Sequence, residues 1–169
     1  MRRTIVVSIL AGSLTAFAVG GASGGAQGVA GAADGSYRLV GDAAGSSFDV
    51  YPFAFKVRVD SDGTVTGQYR YTQRRDGVEL RISGPLTCAT ISGNRAWVGG
   101  VIKETTRESL RGLDMWFQVQ DNGDGDESSL DMSSTVGAGG PGTALKYCVD
   151  APPVLFPFFV WRGDIAVRG

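Results

Sequence analysis

Pro52-Phe53-Ala54-Phe55-Lys56-Val57-Arg58-Val59-Asp60 alternates without a break, and Ser61-Asp62-Gly63 then turns the chain into the run Thr64 to Arg74. Phe53, Phe55, Val57 and Val59 share one parity, while Ala54, Lys56 and Arg58 share the other. Successive side chains of a strand point to opposite faces, so this pattern predicts a strand with one buried and one wet face. Aspartates that bond their own backbone, followed by a glycine free to take positive φ, make residues 60–63 a hairpin turn. The return strand alternates again: Val65, Gly67, Tyr69 and Tyr71 oppose Thr66, Gln68, Arg70 and Thr72.

The same grammar continues outward. Asp76-Gly77 is a second hairpin signal, and it opens Val78, Leu80 and Ile82 against Glu79 and Arg81. Gly84-Pro85 interrupts that strand as a bulge or an edge, before Leu86 to Ile91, which carries Cys88. Ser92-Gly93-Asn94 turns into Arg95 to Ile102, with Trp97, Gly99 and Val101 opposite Ala96, Val98 and Gly100. These are four hairpin-linked strands, a meander. Lys103 to Gly112 is polar and reads as a long loop or one helical turn. Leu113 to Gln120 places Met115, Phe117 and Val119 on one side, and its partner is expected at Ser128 to Ser134, after an acidic loop. Gly137 to Gly142 reads as a mobile surface loop, and Gly163 to Arg168 as a closing strand with Ile165 and Val167 inward. No segment beyond the first 32 residues has a helical period. Roughly eight strands predict an all-β domain, a small antiparallel meander barrel or a two-sheet sandwich. Closure removes sticky strand edges, which favours the barrel.

The first residues obey a different rule. Arg2 and Arg3 precede an apolar stretch, Ile5 to Val19, and a Gly/Ala/Ser tail from Gly20 to Ala33. That order is a signal peptide, with Ala30-Gly31-Ala32 as the small-x-small cleavage site and Ala16-Phe17-Ala18 and Ala22 to Ala26 as rivals. The apolar core is short of the ~20 residues a membrane span needs. The expected organisation is a signal peptide at 1–32, an N-terminal linker at 33–47 and a single β domain at 48–169, with no transmembrane span after cleavage. Removal of the leader takes two of the 16 basic residues and none of the 17 acidic ones, which leaves 14 against 17, a net charge of −3. A mildly acidic domain is no nucleic-acid binder by bulk electrostatics. A chain of this size buries a core of its own and is expected to be a monomer. The two cysteines, Cys88 and Cys148, read as one disulfide in an oxidising compartment; closing a loop of about 60 residues stabilises by about 4 kcal/mol in the chain-entropy model.

Four sets of residues are candidate sites. In Asp121-Asn122-Gly123-Asp124-Gly125-Asp126-Glu127, the side chains of Asn122, Asp124 and Asp126 fall at i, i+2 and i+4, as in calcium loops. Glu127 stands where such a loop needs glycine and Ser133 where it needs a bidentate glutamate, so this is no EF-hand; calcium in a looser site and a plain solvated hairpin both fit. Tyr69, Tyr71, Trp97 and Trp116 could line a small-ligand cavity, or serve as core. Trp116 shares parity with Asp114 and Gln118 and is expected on the polar face. The run Ala151 to Trp161, with Phe156, Phe158, Phe159 and Trp161, is a barrel plug or an exposed contact patch; its three prolines rule out a central strand over most of it. The chain has no histidine. That excludes a Ser-His-Asp triad and a histidine-ligated zinc site, and leaves for catalysis a carboxylate pair drawn from Glu79, Glu104, Glu108 and Asp114, or a Ser-Lys pair.

Several pieces resemble those of a loose group of exported bacterial β-rich proteins, similar to β modules found beside surface-anchoring regions of larger secreted proteins. They are Phe53-Ala54-Phe55-Lys56-Val57, Asp62-Gly63-Thr64-Val65-Thr66-Gly67-Gln68, Leu86-Thr87-Cys88 to Gly93-Asn94 with Ala96-Trp97, Phe117-Gln118-Val119-Gln120-Asp121-Asn122-Gly123, and Gly163-Asp164-Ile165. The likeness covers most of residues 48–168. It implies no activity, and it makes the acidic loop a shared structural feature as readily as a binding one. The expectation is a secreted, non-enzymatic module that binds a ligand, glycan or protein or serves the cell envelope structurally. A histidine-free hydrolase and a calcium-stabilised adhesion module are the alternatives.

Overall fold

In the computed structural model, which describes residues 30–43, 46–123, 130–153 and 158–169, the alternating strands close on themselves. The chain runs β1 (Gly31–Ala43), β2 (Ser46–Val59), β3 (Val65–Arg75), β4 (Val78–Ser92), β5 (Arg95–Val101), β6 (Glu104–Thr105), a 3-10 turn (Glu108–Leu110), β7 (Asp114–Gln120), β8 (Met132–Ser133), β9 (Gly137–Gly139), α1 (Thr143–Asp150) and β10 (Phe158–Arg168). Strands β1, β2, β3, β4, β5, β7, β8 and β10 each pair antiparallel with the next, and β10 returns to β1. The result is a closed eight-stranded meander barrel, with β6 and β9 as short additions on β4 and β7.

The hairpins form where the turn residues require them. Gly63 N–H donates to the Asp60 carbonyl at 2.9 Å, and the Asp62 carboxylate accepts the Thr64 N–H at 2.9 Å. Gly84-Pro85 neither ends nor edges its strand. It is the corner of the barrel: up to Pro85, β4 pairs with β3, and from Leu86 it pairs with β5, with a register shift between Leu86 and Cys88. Gly84 is required there because a Cβ would overlap the Val101 carbonyl oxygen. A matching bend falls in β10 at Gly163, where φ is +101° and a Cβ would overlap the Ser36 carbonyl. The long strands β4 and β10 thus turn from one wall into the next.

Beside β10 the ladder is completed by side chains. Among the described residues, β8 pairs with β10 only through Phe158 and Phe159. Beyond that point the Asp131 carboxylate accepts the Ile165 N–H at 2.9 Å and the Asn122 N–H at 2.8 Å, while Asp121 accepts the Val167 N–H at 2.9 Å. A buried N–H without an acceptor is costly, and these two carboxylates stand in for the missing strand.

The interior is filled. Phe53 lies 5.1 Å from Tyr37, 5.1 Å from Tyr71 and 4.7 Å from Phe117, ring centre to ring centre. Leu39, Val50, Val57, Val98, Ile102 and Met115 are fully buried around this aromatic column. An eight-stranded barrel has an interior just wide enough for side chains, and here they occupy it.

Four expectations change. Of the stretch 33–47, expected as a linker, residues 33–43 belong to β1 and residues 46–47 open β2: Ala33, Tyr37 and Leu39 point into the core, and β1 is paired on both sides. Pairing begins at Gly31, inside the expected 1–32 leader, whose remainder up to residue 29 lies outside the described residues. The domain is not purely β, because Cys148 sits on α1, and the Cys88–Cys148 disulfide (Cα–Cα 6.2 Å) pins that helix to the outside of β4 rather than linking two strands. Gly137–Gly139 is a paired strand instead of a loop. Finally, the expected plug splits: residues 154–157 lie outside the described residues, and Phe158 to Trp161 enter β10, a central strand between β1 and β8. Among the described residues, no helix is long and apolar enough to cross a membrane.

Candidate functional site

Of the four aromatic candidates, two belong to the core and two to an outer wall. Tyr69 and Tyr71 point inward from β3 and are buried; Tyr69 donates a long 3.5 Å hydrogen bond to the Val101 carbonyl. Desolvation raises both hydroxyls well above the ordinary tyrosine range. Tyr37 behaves likewise, its burial outweighing the opposing hydrogen bond to Ser133 at 2.8 Å. Trp97 faces outward but is covered by α1 and the chain that leaves it, and its indole N–H donates to the Pro152 carbonyl at 2.7 Å. Trp116 is on the outer face, as its parity predicts. Its ring lies across Gly137 and Gly139, where any side chain would strike it, and 6.0 Å from the Tyr147 ring. The glycines of β9 are there to admit the indole. The four do not converge on one cavity.

Asn122 is already committed. Its side-chain N–H donates to the Leu130 carbonyl at 2.7 Å, and its Oδ1 accepts from Gln120 Nε2 at 2.6 Å. Asp124 and Asp126 lie outside the described residues. Among the described residues no group of three or more His, Cys, Asp or Glu side chains is gathered that could hold a metal ion. The four carboxylates considered for catalysis are dispersed. Glu79 bonds Arg74 and Arg81, which hold its carboxyl below the usual range; Glu108 pairs with Arg111. Asp114 accepts the Ala144 N–H at 3.2 Å in the first turn of α1. Glu79 also lines a concavity of about 430 Å³, and Glu104 borders a larger one.

That concavity is a groove of about 800 Å³ on the outer face of β2, β3 and β4, closed at one end by Lys103 and Glu104. It lies at the Gly84 corner, where β4 leaves β3 for β5. The strand register sets its rows: Ala54 opposite Arg70, Arg70 opposite Ser83, and Ser83 opposite Glu104; beside them Lys56 stands opposite Gln68 and Gln68 opposite Pro85. Ser83 donates to the Glu104 carboxylate at 2.8 Å. Lys56, Arg70 and Lys103 line the groove and form no ion pair among the described residues. Three unpaired cations thus face one carboxylate in a molecule of slightly acidic total charge.

The outward parity of Lys56 and Arg70 is legible from sequence; their convergence with Lys103 is not, since it depends on the bend at Gly84. No family model matches the chain, and no curated protein or solved structure is significantly similar to it.

Proposed function

We propose that this protein is an exported, non-catalytic recognition module whose outer groove binds a short acidic glycan of the cell surface or its surroundings. The observation that carries the reading is the groove itself: a concave site with Lys56, Arg70 and Lys103 free of ion-pair partners among the described residues. Cations that lack carboxylate partners are available to ligand carboxylates, and a concave wall strengthens the field between them. The packed interior directs the ligand to the outer walls. Export is supported by the leader pattern and by the disulfide, which persists in oxidising compartments. A glycan suits the groove better than a long nucleic acid, because the rest of the surface carries excess negative charge.

The test is calorimetric titration with oligogalacturonate at low and high salt. Binding is expected at low salt, and raising the ionic strength to about 0.5 M, where the Debye length falls to a few ångströms, should weaken it at least tenfold. Arg70→Glu and Lys103→Glu, both exposed on the outer face, should each abolish it without lowering the melting temperature. Absence of binding at millimolar ligand, or binding that survives both charge reversals, refutes the reading.

A further inference from the structure

A second concavity lies on another wall, and its chemistry differs from that of the groove. It encloses about 270 Å³ between Arg95, Gln118, Gln120, Met132, Ser134 and Pro153. Gln118 is 3 % exposed, and its side-chain carbonyl oxygen, closed off from solvent, has no hydrogen-bond partner among the described residues. Buried polar atoms are nearly always paired, so an orphaned acceptor on the wall of a cavity marks a place where a donor is missing. The surrounding groups are held in place. Arg95 donates to Gln120 Oε1 at 2.8 Å, Gln120 donates to Asn122 Oδ1 at 2.6 Å, and the Gln118 N–H donates to the Ser134 hydroxyl at 2.9 Å.

The strand register extends this cavity into an aromatic surface. Arg95 stands opposite Gln120, Gln120 opposite Met132, and Met132 opposite Phe159. Phe159 and, two residues along the same face, Trp161 are 62 % and 69 % exposed, and Val40 and Leu130 are exposed as well. A row of fixed amides and a guanidinium therefore leads into two uncovered aromatic rings. Single exposed apolar residues need no explanation, but a cluster beside a polar cavity does.

We infer that this wall is a second binding site, for a neutral glycan, independent of the acidic-ligand groove. A pyranose ring matches both halves of the surface: its hydroxyls donate to and accept from amides, and its axial C–H face lies on an aromatic ring. Rotation of the Gln118 side chain toward the cavity offers its carbonyl to a ligand hydroxyl, and the next sugar units extend over Phe159 and Trp161. The absence of a carboxylate from the lining among the described residues, and the engagement of Arg95 with Gln120, favour a neutral ligand over a charged one.

The experiment titrates the full, disulfide-bonded chain with three neutral oligomers, of β-1,4-glucose, α-1,4-glucose and β-1,4-N-acetylglucosamine, and follows tryptophan emission and its quenching by acrylamide. At least one oligomer should bind, shield Trp161 from quencher and be insensitive to salt up to about 0.5 M. Trp161→Ala and Gln118→Leu should each weaken binding more than tenfold, while Arg70→Glu should leave it unchanged. Gln118→Leu should melt no lower than the parent, since it removes an unpaired carbonyl; a purely structural glutamine would instead lower the melting point. The inference is overturned if no oligomer binds at millimolar concentration, which leaves a cavity that holds water only. It is equally overturned if binding survives Gln118→Leu, or if the aromatic wall binds neutral lipid vesicles and no sugar. Loss of oligogalacturonate binding with retention of the neutral oligomer would sink the groove alone.

Discussion

Asp131→Ala should unfold the barrel along the seam beside β10 before anything else. The Asp131 carboxylate accepts two backbone N–H groups, from Asn122 at 2.8 Å and from Ile165 at 2.9 Å, and Asp131 is buried. Hydrogen bonds to a charged acceptor contribute about 1.5–3 kcal/mol each, and a buried donor left alone keeps its full desolvation cost. Water can reach part of the Asn122 side but not the Ile165 amide, so the loss should be about 3–5 kcal/mol. An unfolding entropy of about 2.1 cal/mol/K per residue over some 140 residues converts that into a fall of roughly 10–17 °C in Tm. Asp131→Asn should fall nearly as far, because one of its two acceptors becomes an N–H that faces another N–H. Asp34→Ala, which removes an exposed pair with Arg168, is the control and should move Tm by only a few degrees. Thermal melts supply the magnitude, and amide exchange supplies the location: Ile165 and Val167 should lose protection first. A Tm within about 3 °C of the parent, or an Ile165 amide as protected as before, refutes the claim that these carboxylates replace strand pairing.

Cys88→Ala with Cys148→Ala should cost up to about 4 kcal/mol, the loop-closure value for a separation of 60 residues, and limited trypsin digestion should then cut at Lys146 in the released α1. Alkaline titration should show Tyr37, Tyr69 and Tyr71 silent at 295 nm until the barrel opens; because burial raises their folded pKa above the unfolded value near 10, stability is intact below pH ~10 and is lost as pH climbs past it. Tyr147, pushed up to about 12 by partial burial, should ionise before them, as the helix frays. Gly84→Ala should destabilise by more than 1 kcal/mol in denaturant melts, since its Cβ would meet the Val101 carbonyl and the Lys103 N–H, both backbone groups that cannot swing aside. A chelator should leave Tm unchanged within about 1 °C; a larger drop would support Asp124 and Asp126 as calcium ligands.

The meander was legible because β2 to β5 combine strict alternation with Asp-Gly or Gly-Asn turns, and each strand carries bulky residues on its inward parity. β1 obeys the same alternation, but its inward positions begin with Ala33 and Gly35, which carry almost no hydrophobic signal; only Tyr37 and Leu39 reveal it. Gly35 is small because Phe55 and Tyr37 fill the space a Cβ would need. The helix was hidden by its brevity. Eight residues with only Ala144 and Cys148 buried make too narrow a stripe to register as a period. Asp121 and Asp131, at either end of the acidic stretch, posed the opposite difficulty: residue types that suit a cation also suit lone backbone N–H groups, and only the path of β10 past these two shows that they take the second use. For the groove, parity exposes Lys56 and Arg70, but the third cation arrives from beyond β5, at a corner that a single glycine creates.

The distribution of cover over the outer walls argues that the exposed aromatics are retained for contact. Among the described residues there is one α-helix and one disulfide, and both are used on the wall of β4, β5 and β7, where they bury Cys88, Ala144 and the Trp97 indole and seat Tyr147 against Trp116. A chain able to cover two tryptophans in that way leaves Phe159 and Trp161 open on the adjoining strands, although β10 also carries Val160 inward with Leu39 across from it. Inward packing fixes Val160, and parity then forces residues 159 and 161 outward, but parity decides only direction. Threonine or lysine at those two positions would serve the sheet as well and keep it more soluble. The choice of two large rings at both outward positions, with Phe159 in the same cross-strand row as Met132 and Gln120, is therefore not demanded by the barrel. Replacing both with threonine should preserve Tm within a few degrees and raise solubility while removing neutral-glycan binding; a substantial loss of stability would show that the rings are structural after all.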